Sequence, residues 1–281
     1  MLLIVIKSVI TANNIIGDIV KKILFTGARS GIAHTTIKEL LNKDYLIYLT
    51  VHTDKQLEIV KNTYRNYKKV ICLKVDITNP EDLIKLEKLD IDILVCNASI
   101  GEGGSIIEIP MEKVRNNFEV NVFSNFELVQ KVFHKMMKKN NGKIIMISSL
   151  IRLVPFNFLG VYGATKSSIS HLAYCLKNEL KLLNTNIKII LVEPGPYYTG
   201  FNQVMLDNKY TWMNKESYFK NYIELIKRRE NKIFHIIERK KLKSVVKTMI
   251  RAIESKNPKF LYQVPKSYGM MAKIYNFFFF F

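Results

Sequence analysis

Tyr162 and Lys166 stand four residues apart in the stretch Tyr162-Gly163-Ala164-Thr165-Lys166. On a helix that spacing turns both side chains to one face, a single turn apart. A phenol holds its proton up to a pKa of about 10 and is a poor base at neutral pH. An ammonium roughly 4 Å away, in an effective dielectric near 20, favours the phenolate by about 4 kcal/mol and draws that pKa down by about 3. The phenol then enters the range where general acid–base chemistry works best. Ser149 follows the apolar run Lys143–Ile147, where its hydroxyl could hold a substrate oxygen beside the phenol. A tyrosine and a lysine at this spacing are equally an ordinary surface pair, so the elements that position them decide.

Those elements alternate. Lys22–Phe25, Tyr45–Val51, Lys69–Leu73, Ile91–Cys96, Lys143–Ile147 and Ile187–Val192 read as strands, apolar throughout or nearly so. Between them the pattern predicts helices near 31–42, 54–66, 80–88, 111–138 and 160–183. Apolar strands separated by helices predict an α/β fold, a doubly wound parallel sheet of the Rossmann type with right-handed crossovers. Within 160–183, Ile169, Leu172, Ala173, Leu176, Leu180 and Leu183 recur at helical spacing and form a core stripe. No repeat and no Pro/Gly/Ser-rich linker interrupts the 281 residues, which read as a single domain.

Open parallel sheets bind ligands outside the carboxyl ends of their strands. The first strand runs directly into Thr26-Gly27-Ala28-Arg29-Ser30-Gly31-Ile32-Ala33 and a helix. Glycines there let the backbone turn tightly and approach a pyrophosphate, whose charge the helix N-terminus meets. Asn97, Ser149 and Pro194 come at the ends of other strands.

In this order the residues resemble the short-chain dehydrogenases/reductases, in their compact single-domain branch. The family carries Thr-Gly-x-x-x-Gly-Ile-Gly, which the chain matches except for Ala33 in the last place. Asp76-Ile77-Thr78 sits where the family has an Asp-x-Thr that steadies the adenine. Asn97-Ala98 sits at its Asn-Ala-Gly, with Ser99 replacing the glycine. Asn121 matches a helix asparagine whose backbone helps hold a water in the proton path, and Ser149, Tyr162 and Lys166 match the other catalytic residues. Pro194-Gly195 and Thr199 match the turn near the nicotinamide carboxamide.

The resemblance covers roughly 22–200. It implies an oxidoreductase that interconverts a carbonyl and a hydroxyl by hydride transfer, with Asn121, Ser149, Tyr162 and Lys166 catalytic. It also implies a nicotinamide cofactor held by Gly27, Arg29, Ser30, Gly31 and Ile32 in the glycine turn. Further along, His52, Asp76, Ile77, Asn97 and Ala98 would contribute, then Tyr162 and Lys166, then Pro194, Gly195 and Thr199. NADP is expected rather than NAD, because Val51 ends the second strand where an acid would accept the ribose hydroxyls, and Arg29 and His52 stand nearby. A nucleotide-sensing binding protein without turnover is the alternative on this fold, and the complete set of four catalytic matches argues against it.

The formal net charge is +19, and residues 209–281 hold seventeen Lys/Arg against five Asp/Glu. Such a balance suits nucleic acid, an anionic membrane or simply basic solvated helices, and no nucleic-acid motif accompanies it. Cys72, Cys96 and Cys175 lack metal or redox spacing, which fits a reducing cytoplasm and no metal. The run Met1–Ile6 is too short to span a bilayer and reads as an extra strand or a loose extension. Residues 200–240, rich in Met and aromatics from Phe201 and Met205 to Trp212 and Tyr222, read as a lid over an apolar, lipid- or steroid-like carbonyl or alcohol. Packing of the lid against the body accounts for the same residues.

A basic helix near 240–255, a strand-like run Lys259–Tyr262 and a tail over 256–281 complete the chain. The terminal phenylalanines, at about 1.5–3 kcal/mol for each side chain buried, call for a sink. Two are open: the protein itself, across the substrate mouth or against another subunit of a homo-oligomer, and a lipid surface.

Overall fold

The computed structural model describes residues 20–213 and 216–280. The first half of the fold contains β1 (Lys21–Phe25), α1 (Gly31–Leu40), β2 (Tyr45–Val51), α2 (Asp54–Tyr64), β3 (Val70–Lys74), α3 (Pro80–Glu87), β4 (Ile93–Cys96), α4 (Met111–Phe118) and α5 (Ser124–Lys139). Then come β5 (Lys143–Ile147), α6 (Gly160–Leu182), β6 (Lys188–Pro194), α7 (Phe201–Asn208), α8 (Ile223–Ile237), α9 (Lys243–Glu254), β7 (Leu261–Val264) and α10 (Lys266–Phe280). The expectation for Met1–Ile6 falls outside the described residues.

The strands form one parallel sheet in the order β3-β2-β1-β4-β5-β6-β7. Its members are apolar because both faces are covered. Leu24, Leu94, Ile144 and Leu191 point into one layer with Leu83 of α3, Leu128 and Val132 of α5, and Ala173 of α6. Their chain neighbours Ile23, Ile93, Ile145 and Ile190 point into the other, against Ile37 and Leu40 of α1 and Val245, Met249 and Ala252 of α9. Successive side chains of a strand face opposite ways, so each run of apolar residues feeds both cores.

Register brings the carboxyl ends level. Phe25 pairs with Leu49 and Val95, and Ile147 pairs with Val192. The order of the strands reverses between β1 and β4, which opens the crevice where ligands of such sheets sit.

Two elements differ from expectation. The helix predicted over 111–138 is broken by a π turn at Glu119–Phe123, where the Ser124 N–H reaches back to the Glu119 carbonyl. The run read as Lys259–Tyr262 becomes β7 at Leu261–Val264, a seventh strand on β6.

Leu94 lies at the centre of this sheet with no exposed surface. Leu94→Ala is expected to lower the free energy of unfolding by about 2–5 kcal/mol, read from the urea midpoint at unchanged m-value.

Candidate active site

The turn after β1 is shaped by close approach. Gly27 has φ +62°, and a Cβ on it would stand 2.7 Å from the Ala98 Cα. The turn is tied to the end of β4 by Thr26 and Asn97. The backbone N–H groups of Asn97 and Ala98 both donate to Thr26 Oγ1 at 3.0 Å. Asn97 Nδ2 donates to the carbonyls of Thr26 and Gly27, each at 3.0 Å. Asn97 is therefore spent on holding the glycine turn, with Ala98 packed against it.

The turn ends on the N-terminus of α1, whose Ser30 makes no side-chain cap and whose first turn holds no acid. Its leading N–H groups are unpaired within the helix and carry its positive end. Gly31 has φ +67°, and a Cβ there would touch the Thr199 side chain at 3.4 Å. Arg29 and Ser30 are exposed beside it, and Ile32 packs at the edge of the core. Ala33 is buried, which the expected glycine-to-alanine exchange requires. A cradle without side chains ending on an uncapped helix start fits the phosphates of a dinucleotide.

At the neighbouring strand ends, Val51 is buried and His52 is exposed, its N–H donating to Gln56 Oε1 at 3.3 Å. Asp76 Oδ1 accepts from Thr78 N (3.0 Å) and Thr78 Oγ1 (2.8 Å), a turn that holds the loop after β3. Ile77 is buried in the core within that loop.

Asn121 lies inside the π turn and is fully buried. Its Oδ1 accepts from Ile100 N (2.8 Å) and Ser99 Oγ (3.0 Å). Its Nδ2 reaches Ile100 O, Asn117 Oδ1 and Thr165 Oγ1 at 2.9, 2.9 and 3.0 Å. The side chain thus ties the loop after β4 to α6. Ser99, which departs from the family's glycine, supplies one of these bonds.

Tyr162 and Lys166 share one face of the first turns of α6, both buried. The Tyr162 ring lies in an apolar cluster with Leu159, Met205, Leu206 and Phe234, its centroid 5.6 Å from that of Phe201. Lys166 Nζ sits 5.6 Å from the Tyr162 ring centroid and donates to Ile147 O at 3.2 Å. Burial dominates both groups. It raises the Tyr162 phenol above its ordinary range and pushes the Lys166 amine down to about 7. Here burial outweighs the lowering that a charged lysine would exert on the phenol.

Ser149 Oγ accepts from Ile151 N at 3.2 Å and lies 3.4 Å from Pro194 O, so the ends of β5 and β6 meet there. Gly195 continues from that carbonyl and packs beside Tyr268 and Pro265.

Beneath them runs a polar chain not anticipated from sequence. Glu193 is completely buried. Its carboxylate accepts from Arg152 Nε, from Ser170 Oγ at 3.1 Å and from Gln263 Nε2 at 2.9 Å. Ser170 meets Ser148 at 2.7 Å, and Ser148 Oγ donates to the Lys166 carbonyl at 2.8 Å. An acid inside an otherwise apolar strand was the available signal.

The segment after β6 packs over this edge. A Cβ on Gly101 would stand 2.8 Å from Met205, and one on Gly104 would stand 2.1 Å from the Trp212 ring. Met205, Leu206 and Met213 are buried, while Tyr218 and Tyr222 are exposed. Lys209 and Glu230 form a buried ion pair at 2.7 Å, joined by the Tyr210 hydroxyl donating to Glu230 Oε2 at 2.8 Å. Among the described residues no cluster of His, Cys, Asp or Glu could hold a metal ion.

A family model described as short chain dehydrogenase matches residues 21–209. The chain is similar to a 3-ketodihydrosphingosine reductase of Bacteroides thetaiotaomicron, 29% identical over 245 residues and covering 85% of each chain. It is also similar to an NADPH-dependent 3-dehydrocapnine reductase of Ornithobacterium rhinotracheale, 27% identical over 62% of this chain and 64% of that protein. Its fold matches a short-chain dehydrogenase/reductase of Burkholderia phymatum in complex with NAD, with a TM-score of 0.76 and 19% identity over 90% of this chain and 92% of that one.

The burial of Lys166 has a measurable consequence. Its amine titrates near 7 when folded and near 10.4 when unfolded, so between those values the unfolded chain binds more protons and stability rises with pH. Lys166→Met removes that dependence. In cofactor-free protein its stability advantage over the wild type should shrink by about 1.4 kcal/mol per pH unit from pH ~7 to ~10, measured by urea unfolding. A pH-independent difference would place the amine in water.

Proposed function

The chain belongs to the short-chain dehydrogenase family, and from that premise we propose that it is an NADP-preferring oxidoreductase acting on an apolar ketone or secondary alcohol. The observation that carries this reading is the Tyr162 hydroxyl and Lys166 amine buried on one face of α6 beneath Phe201, Met205, Leu206 and Phe234. An acid–base group beside apolar walls suits a water-poor carbonyl substrate. The names of the 3-ketodihydrosphingosine and 3-dehydrocapnine reductases support a keto-compound substrate.

A nicotinamide cofactor, when bound, supplies the hydride. The residues placed to hold it are the glycine cradle of Gly27 and Gly31, the helix N-terminus at Ile32, and Thr199 across the turn, with Asn97 holding the cradle in shape. Reduction then asks the protein for a proton at the carbonyl oxygen. Tyr162 gives it, because burial keeps the phenol protonated. Ser149 Oγ orients the same oxygen from the end of β5. Lys166, one turn along, favours the phenolate left behind whenever its amine is charged. Asn121 fixes the loop over Ser99 and Ile100 and anchors the path by which Tyr162 regains its proton.

NADP preference rests on Val51, which places an apolar side chain where an acid would repel a 2′-phosphate, and on the exposed Arg29 and His52. One relative is named for NADPH and one neighbour of the fold is bound to NAD, so the preference proposed rests on the chain's own residues.

With a panel of long-chain and cyclic ketones and NADPH, absorbance of the reduced nicotinamide should report turnover. Tyr162→Phe keeps the ring and should lose at least ~10²-fold in kcat while cofactor affinity persists. Turnover near the wild-type value in that variant would remove the assignment.

For the cofactor, nicotinamide fluorescence should give a lower Kd for NADPH than for NADH, and Val51→Asp should reverse the order. A wild-type preference for NADH would overturn this part alone.

A further inference from the structure

The helix α10 carries its apolar side outward. On its inner face Ala272 is buried, Tyr268 donates to Ile237 O at 3.0 Å, and Asn276 Nδ2 donates to Leu153 O at 3.1 Å. The opposite face holds Met270, Met271, Ile274, Phe277 and Phe278, each between 51% and 71% exposed. Their spacing of i, i+1, i+4, i+7 and i+8 makes one continuous stripe. Exposed Lys266 and Lys273 follow one edge of it.

The contact of Tyr268 with Ile237 joins the start of α10 to the end of α8, and Arg239 lies over the Tyr268 ring at 5.6 Å. One face of α8 repeats the theme with Leu225, Arg229, Lys232 and Ile236, four exposed residues at helical spacing. Apolar and basic side chains are thus interleaved on two adjoining helices. They belong to the part of the chain that holds seventeen Lys/Arg against five Asp/Glu.

We propose that this face docks on an anionic bilayer surface, with the α10 stripe lying in the interface and the basic residues meeting lipid headgroups. An amphipathic helix with bulky apolar residues on one side and lysines at its border is suited to that position. The lysine stems extend along the apolar surface while their ammonium groups stay at the headgroup level. Each basic residue near an anionic surface multiplies partitioning by about fivefold, on top of what the stripe supplies. As described, α10 runs along the surface rather than across a bilayer. Its 15 residues rise about 22 Å against a hydrocarbon core of about 30 Å, and no described helix is long and apolar enough to cross.

Charge decides against a second copy of this chain as the occupant. A two-fold contact presents the same patch from both sides. It would bring the Arg229, Lys232, Lys266 and Lys273 charges of both copies into one contact, whereas acidic lipid supplies the opposite sign.

The test is co-sedimentation of the full chain with vesicles of phosphatidylcholine, alone or with about one-third phosphatidylserine. The wild type should bind the acidic vesicles at least ~10-fold more strongly than the neutral ones, and the difference should shrink at high salt. Ile274→Glu/Phe277→Glu/Phe278→Glu and, separately, Arg229→Glu/Lys232→Glu/Lys273→Glu should each lose at least ~10-fold of that binding. All these positions are exposed, and a thermal midpoint within a few degrees of the wild type confirms that the variants are folded. Absence of wild-type binding, or equal binding by wild type and both folded variants, overturns the proposal. So does a dimer in sedimentation velocity that the stripe variant breaks while neither protein binds vesicles. Because the readout is partitioning, it stands or falls independently of turnover.

Discussion

Parallel strands can be this apolar only if helices cover both faces of the sheet, and that constraint decides where polar groups can gather. Each strand must be followed by a crossover that carries the chain back to the amino ends of the strands before the next begins. All seven carboxyl ends therefore open on one side of the sheet. The glycine turn, Asn97, Ser149 and Pro194 are separated by tens of residues in the chain, yet they share that edge because each follows or closes a strand. The two cores supply the rigidity. Ile23 and Leu24 go to opposite layers, as do Ile93 and Leu94, so β1 and β4 cannot slide without opening both.

On this frame the polar groups at the edge mostly bind one another. Thr26 and Asn97 tie β1 to β4, and Asn121 ties the loop after β4 to α6 through Thr165. The Glu193 chain ties β6 and β7 to the Lys166 backbone. A buried carboxylate is tolerable when paired and fully hydrogen-bonded, and removing one partner of such a group typically costs about 3–5 kcal/mol. These ties fix the backbone that carries Tyr162 and Lys166, so their two side chains can be buried without the helix start shifting to expose them. In the proposed reaction that fixed backbone keeps phenol, amine and Ser149 hydroxyl in one geometry.

The alternation of strands and helices was legible because buried parallel strands show as unbroken apolar runs. Boundaries moved by one or two residues at β1, β3, β4 and β6; Lys69 falls in the turn before β3, and Ile91 and Ile187 precede the ladders of β4 and β6. The π turn was not legible. One extra residue in a turn leaves the apolar periodicity of 111–138 almost unchanged, and what fixes it is Asn121 bonding to a loop 21 residues away. The Glu193 chain was hidden for the same reason, since its partners Arg152, Ser170 and Gln263 lie 41, 23 and 70 residues off. Spacing placed Tyr162 and Lys166 on one face, as the structure has them. It could not supply the lid residues that desolvate them, which reverse the expected direction for the phenol.

The sheet edge and its cover answer to different constraints. Edge residues are constrained by strand ends and by one another, so their types follow from the sheet. The lid is constrained by what it rests on. Met205 and Trp212 settle onto Gly101 and Gly104, where any Cβ would collide with them, so the lid's height over the site is set by the absence of side chains in the loop after β4. Its own shape is held by Lys209, Tyr210 and Glu230, a polar lock that fastens α8 to the end of α7. A cover positioned in this way is free to vary its inner residues, Phe201, Met205, Leu206 and Phe234, while the sheet edge stays the same. The chemistry of the reacting groups is therefore a property of the fold's edge, and the choice of an apolar substrate in the proposed reaction is a property of these four side chains.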